Sequence, residues 1–225
     1  MRKEEGMYSE KFRYENLQHG FFEAEGKYDI PKLTGSDVDE IPELIGFNYA
    51  KTAKDRTDKG VHFFLDDYQF TRVWNNPTNY IELLKQFRIV LTPDFSLYSD
   101  FPRAMQIYNH YRKHWLGAYW ESNCIKVIPT ICWSDESSFE WCFEGEPVGS
   151  IVAVSSVGTQ QNKNSKRAFL LGYEKMLERL QPETIIFYGN IPDECKGSIV
   201  RIKTFQDKFR KAVISNRRHN NFKQD

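Results

Sequence analysis

Carboxylates and hydroxyls recur in this sequence at the ends of short apolar runs, where a side chain can meet a ligand while its neighbours stay in a core. Val61-His62-Phe63-Phe64-Leu65 leads into Asp66-Asp67, and Arg88-Ile89-Val90-Leu91-Thr92 leads into Pro93-Asp94. The run 125–132 leads into Trp133-Ser134-Asp135, the run 150–154 into Ser155-Ser156, and the run 184–187 into Tyr188-Gly189-Asn190. Converging carboxylates support two kinds of chemistry. As hard oxygen ligands, Asp66 and Asp94 suit Mg²⁺ or Mn²⁺, which polarises a phosphate or activates water. Alternatively, one carboxyl among Asp66, Asp67 and Asp94, its pKa raised by like-charged neighbours, acts as a general acid or base. These three aspartates are the candidate catalytic residues.

A second feature concerns anions. Ser155-Ser156-Val157-Gly158-Thr159, followed by Lys163, Ser165, Lys166 and Arg167, passes from an apolar run into a helical pattern. Backbone N–H groups at a helix start, with bases nearby, favour a phosphate. The stretch lacks the Gly-Lys-Ser/Thr ending of a nucleotide P-loop and is no dinucleotide fingerprint. Ser155, Ser156, Lys166 and Arg167, with Arg103, Tyr98, Trp133, Tyr188 and Asn190 around the same rim, are the candidate substrate-binding residues. His110 and His114 stand one helical turn apart, but no Glu follows His110 in the zinc-protease manner, so packing or surface roles are expected. No Gly-x-Ser-x-Gly elbow exists to place a nucleophilic serine. Cys142, between Trp141 and Phe143 and amid acids, is expected to have a raised pKa and little reactivity.

The elements that must position these groups follow from periodicity. Near-continuous apolar runs of this length read as strands buried on both faces, the habit of a parallel sheet. Gly46–Tyr49 and Ile199–Ile202 are expected to add a strand at either end. Residues 103–120 place Ala104, Ile107, Tyr108, Tyr111, Trp115, Ala118 and Tyr119 on one helical face. Residues 166–180 do the same with Phe169, Tyr173, Met176, Leu177 and Leu180, with Ser165 as N-cap and Pro182 as stop. Residues 77–87 offer a further helix. Alternation of strand and helix predicts an α/β fold: a mostly parallel sheet of about five to seven strands with crossover helices. Either an incomplete TIM-like barrel or an open doubly wound sheet satisfies the pattern, and in both, function gathers beyond the carboxyl ends of the strands.

Composition narrows the class. The chain has 225 residues, with 31 basic and 31 acidic side chains, and 15 % of it is aromatic. That length suits one α/β domain over 1–202, with 1–42 as a peripheral N-terminal segment and 203–225 as a basic tail. Balanced charge excludes a uniformly basic nucleic-acid coat, yet the charge is unevenly spread. Residues 135–146 carry five acids and no base, whereas 203–225 carry seven bases against two acids. No apolar run approaches the roughly 18 residues of a membrane-spanning helix. The charged start has no secretory pattern, and the four cysteines form no Cys-x-x-Cys pair, so a reduced cytoplasmic protein off the membrane is expected.

Taken together, several runs resemble a known family. Val61-His62-Phe63-Phe64-Leu65-Asp66-Asp67-Tyr68-Gln69-Phe70 with Trp74-Asn75-x-Pro77 looks like one of its signatures. Leu91-Thr92-Pro93-Asp94-Phe95-Ser96-x-Tyr98, with Pro102 and Gln106-Ile107, is the most specific. Val127-Ile128-Pro129-Thr130 with Trp133, Phe143-x-Gly145 and Tyr188-Gly189 complete it. The chain is similar here, over about residues 28–190, to domain-of-unknown-function family 4417 of Gram-positive bacteria, phages and plasmids. The resemblance implies a phage or mobile-element origin and transfers no catalytic residue. Three readings follow. The first is an enzyme acting on a phosphate-bearing nucleotide or nucleic acid through the strand-end carboxylates. The second is a non-catalytic phage factor that binds a host defence protein. The third is a DNA-replication accessory gripping DNA through the basic tail.

Overall fold

The computed structural model describes residues 10–202. A small antiparallel pair, β1 (Ala24–Glu25) and β2 (Ile30–Pro31), precedes two parallel sheets. The first holds β3 (Glu43–Gly46), β4 (Lys59–His62), β5 (Ile89–Leu91) and β6 (Val127–Ile128) in that order. The second holds β7 (Ile151–Ser155), β8 (Thr184–Tyr188) and β9 (Ile199–Ile202). A parallel bridge between Thr130 and Ala153 joins them, with Ile131 N–H donating to Ala153 O and Ala153 N–H to Pro129 O, each at 2.8 Å. Seven parallel strands therefore follow one another in chain order. A doubly wound sheet needs a reversal of strand order, and none is present among the described residues.

Ring distances reveal the curvature. In a flat sheet β4 and β8 would stand four strand spacings apart, about 19 Å at roughly 4.8 Å each. Instead the His62 and Tyr188 rings are 4.9 Å apart, and Phe64 and Tyr188 stack at 4.8 Å. The sheets curl until β4 faces β8, in the manner of a barrel, and among the described residues the barrel does not close, because β3 and β9 do not pair. Strand alternation separates two faces. Leu44, Ile89, Leu91, Ile128, Ile151, Ala153, Ile186 and Tyr188 pack inside with Phe64. Val61, Phe63, Val90 and Val127 point outward into one helical layer, and Val152, Val154, Ile185 and Phe187 into another.

The outer layers are helical. Short helices α1 (Thr71–Asn75) and α2 (Ile81–Leu84) follow β4; the sequence pattern had suggested one helix over 77–87, but Pro77–Tyr80 forms a 3-10 turn instead. The expected strand at 46–49 lies upstream, as β3, and Phe47–Tyr49 turns as 3-10 helix. Helix α3 (Arg103–Ser122) and helix α4 (Lys163–Leu180) match the two long periodic stretches. Helix α4 starts one turn earlier than expected, with Asn162 rather than Ser165 as its cap, accepting from Ser165 N–H at 2.9 Å. It buries Phe169, Tyr173, Met176 and Leu180, as its pattern predicts.

Helix α3 departs from its pattern. Its C-terminal half buries Trp115, Leu116, Tyr119 and Trp120, but Ala104 is exposed and Tyr108 is 37 % exposed. In place of an apolar stripe, the first three turns bury Gln106, Asn109, His110, Lys113 and His114. That polar stripe keeps the three-and-four spacing of a helix face. It faces the carbonyls of Pro31, Thr130 and Glu144 and the Glu146 carboxylate, and this sets up the site. No helix among the described residues is long and apolar enough to cross a membrane.

Candidate functional site

All seven strands are parallel, so their carboxyl ends share one rim, and the starts of α3 and α4 lie on the same side. At the end of β5, Thr92 and Thr130 exchange two hydrogen bonds of 2.8 Å, Thr130 N–H to Thr92 Oγ1 and Thr130 Oγ1 to Thr92 O. This pins the next residues, Pro93 and Asp94. Asp94 keeps some solvent access, yet its carboxyl lies deep in the rim. Burial pushes its pKa up to about 7, and the neighbouring Asp67 charge adds to the rise. Lys113 and the Cys132 thiol oppose it. A carboxyl that gains and loses its proton near neutrality is equipped for proton transfer.

Asp67 is the second member. It opens a 3-10 turn, Asp67–Gln69, and both carboxylate oxygens are held by Ser96: Oδ1 by Ser96 Oγ at 2.8 Å, Oδ2 by Ser96 N–H at 3.2 Å. Ser96 O in turn accepts from Asn109 Nδ2 at 2.7 Å, and Asn109 Oδ1 accepts from Arg112 Nη2 at 2.5 Å. The Arg112 guanidinium lies 4.0 Å from the centre of the Phe95 ring. Asp67 and Asp94 are thus brought together. Asp66 is not: it is exposed and accepts from Gln69 Nε2 at 3.3 Å at the turn.

The remaining candidates divide. Tyr98 is 59 % exposed and packs edge-on against Phe101, and Arg103 is exposed in the first turn of α3. Trp133 lies half-buried against α4, where a Cβ at Gly172 would come within 2.1 Å of its Nε1. Ser155 accepts from Val157 N–H at 3.2 Å, and buried Ser156 donates to Asn190 O at 2.6 Å. The Asn190 side chain accepts from Arg201 at 3.3 Å, and Tyr188 is buried in the barrel interior. Lys166 pairs with Glu194 at 2.7 Å, and with Arg167 and Lys163 it lines a shallow groove on α4. The basic tail, 203–225, lies outside the described residues.

Two features were missed by reading the sequence. Lys113 and Glu146, both fully buried, form an ion pair at 2.5 Å, and Lys113 also donates to Thr130 O at 2.8 Å. Glu146 belongs to the acidic run 135–146, which is therefore no continuous solvated surface: Trp141, Cys142 and Phe143 are also buried in it. Burial pushes the Cys142 thiol up to about 12, in keeping with an inert role. His110 and His114 are buried beside Glu146, and among the described residues these three form the group able to share a metal ion. Asp66 and Asp94, the residues expected to hold Mg²⁺ or Mn²⁺, do not belong to that group. The polar spacing 106, 109, 110, 113 was the available signal for the helix face, and nothing local pointed to Glu146.

The architecture is that of an open, singly wound α/β barrel with an acidic rim backed by a buried charged helix face. The chain belongs to the family described as Domain of unknown function (DUF4417), whose model matches residues 22–206. It is 37 % identical over 214 residues to Gene 1 protein of Mycobacterium phage L5, covering 92 % of this chain and 92 % of that protein. With Gene 1 protein of Mycobacterium phage D29 it shares 36 % over 209 residues, 90 % of this chain and 76 % of that protein. No solved structure matches. The resemblance read from the strand-end motifs is thereby shown, and these relatives are phage proteins.

Proposed function

We propose that this chain is a phage-associated enzyme that transfers protons at the rim of its barrel, with Asp94 as general acid–base, acting on a phosphate-bearing nucleotide or nucleic acid. The observation that carries the reading is the Asp94 carboxyl, poised near pH 7 beside Asp67 at the end of β5. Burial is the main reason that Asp94 holds its proton to near neutrality, and the charge of Asp67, which is tied by Ser96, adds to it. Lys163, Lys166 and Arg167 at the start of α4, with Arg103 at the start of α3, support an anionic substrate on the same side. The test is turnover by the full-length protein on a panel of nucleotides and short DNA and RNA strands, followed against pH. The expected rate shows an ionisation near 7 that vanishes in Asp94→Asn, with a loss of about 10²- to 10⁴-fold. Absence of turnover on the whole panel, or an unchanged rate in Asp94→Asn, overturns the reading.

One observation favours a second reading, non-catalytic binding of a host defence protein. Tyr68 and Tyr98, 79 % and 59 % exposed, stand on the loops after β4 and β5. Exposed tyrosines are efficient interface anchors. A binder keeps its partner in Asp94→Asn and loses it in the Tyr68→Ala, Tyr98→Ala double variant; the enzyme reading expects the reverse dependence of activity.

A further inference from the structure

Behind the rim, α3 meets β2 and the segment 144–146 at a joint whose centre is polar. Its centre is His110, His114 and Glu146, at 1 %, 0 % and 6 % exposure, with one ligand atom from each within 4.8 Å of the others. The hydrogen bonds around them define which atoms are free. His110 Nε2 faces the Glu144 carbonyl at 3.2 Å, and a carbonyl only accepts, so Nε2 carries the hydrogen and Nδ1 the lone pair. That Nδ1 is buried with no hydrogen-bond partner. His114 Nδ1 faces the Pro31 carbonyl at 2.8 Å, which likewise places its hydrogen there and leaves the lone pair on Nε2. His114 Nε2 lies 2.9 Å from Glu146 Oε1, so two lone pairs confront each other unless a cation or second proton lies between them. Glu146 Oε1 is already engaged by Lys113, while Oε2 is buried without a partner.

We infer that His110 Nδ1, His114 Nε2 and the Glu146 carboxylate form a binding site for one divalent transition-metal ion, of the Zn²⁺ or Fe²⁺ type. Two imidazoles with one carboxylate suit borderline ions of this kind rather than Mg²⁺ or Ca²⁺. Both imidazoles have their other nitrogen tied to a backbone carbonyl, the arrangement that orients metal-binding histidines. Gly145 makes the approach possible. At φ +76° it lets the chain present Glu144 O and Glu146 to the two rings, and a Cβ there would come within 2.7 Å of Pro31 O and 2.9 Å of His114 Nδ1. An ion held at about 2.1 Å sets its ligands roughly 3.0–3.4 Å apart, so binding draws the three elements together. Lys113, on the same carboxylate, is a competing positive charge that limits affinity, and the enclosed position makes the ion's role structural.

The experiment is titration of the metal-free, full-length protein with Co²⁺, read by visible absorption, and with Zn²⁺, read by competition and by melting temperature. The expected result is one ion per chain, a melting temperature raised by Zn²⁺, and at least tenfold weaker binding in His110→Gln. His110→Gln retains a donor for Glu144 O, and its circular dichroism establishes that it is folded; Glu146→Gln provides the independent second loss. A folded wild-type protein that takes up no Co²⁺, which would leave the cavity to water only, overturns the inference. So does uptake that His110→Gln and Glu146→Gln leave unchanged.

Discussion

Lys113 acts on two acidic clusters, by its charge on Asp94 and by direct pairing with Glu146, and the two differ in what surrounds them. On the rim side, Asp94 and Asp67 keep solvent access and face the open end of the barrel. On the joint side, Glu146 is fully enclosed, with His110 and His114 as its other neighbours. Burial alone raises a carboxyl pKa, and it does so at Asp94, where like charge from Asp67 adds to it. At Glu146 the same burial is outweighed by Lys113 and His114, and the carboxyl is held below its ordinary value. The contrast teaches how burial and charge compete: at Asp94 burial prevails over the Lys113 charge, whereas at Glu146 direct contact with Lys113 and His114 prevails over burial. One cluster is suited to exchanging protons and the other to holding a cation.

Removing the shared cation is the largest perturbation of this contrast. Lys113→Met strands an ionised Glu146 and withdraws the charge that restrains Asp94, so it is expected to destabilise the metal-free protein by about 3–5 kcal/mol. Urea unfolding measures the loss, and the Asp94 midpoint, followed by carboxyl ¹³C shifts, should move above 7. A small loss with an unmoved midpoint would separate the two clusters.

Asp94→Asn acts on the rim alone, through pH. In the fold Asp94 holds its proton to about 7, whereas the unfolded chain releases it near 3.8. The folded state therefore binds the extra proton between these values, and the group's contribution to stability falls as pH rises through that window. About three pH units correspond to an upper bound of ~4 kcal/mol, which partial solvent access reduces to about 2 kcal/mol. Asp94→Asn is expected to be more stable than wild type by that amount at pH 8 and equal to it near pH 4, measured by urea midpoints across the range. Parallel profiles would refute the poised carboxyl.

Gly145→Ala acts on the joint alone. A left-handed backbone angle and a Cβ pressed on Pro31 O predict a loss of about 2 kcal/mol. The urea midpoint reads it, and the Asp94 midpoint should stay where it is. A shift at Asp94 would show that joint and rim move as one unit.

The periodic elements were the readable part of the fold. Strand runs, two long helices and the carboxylates at strand ends follow from alternation and from three-and-four spacing, which are local properties of the chain. The errors were local too. At 77–87 a proline turn replaced the first part of a helix, and at Ser165 the stronger cap Asn162 lay three residues upstream. The site was half readable. Asp67 and Asp94 were singled out by position, whereas Asp66, beside Asp67 in sequence, is exposed and accepts from the Gln69 side chain. On α3 the apolar residues suggested one buried face, but the polar stripe of its first turns is enclosed as well, because the Thr130 and Pro31 carbonyls and Glu146 supply it with polar partners.

What the sequence by itself determined is the alternation of parallel strands and helices, the family, and the rim on which acids collect. Each rests on patterns within a few residues or a single turn. Only the tertiary structure decided that the sheets curl until Tyr188 of β8 stacks on Phe64 beyond β4, and that Glu146 meets His114 from 32 residues away. Curvature accumulates from the twist of many strands, and contacts across loops depend on where that curvature brings them. No local spacing encodes either, so the charged joint behind the rim became visible only once the chain had closed around it.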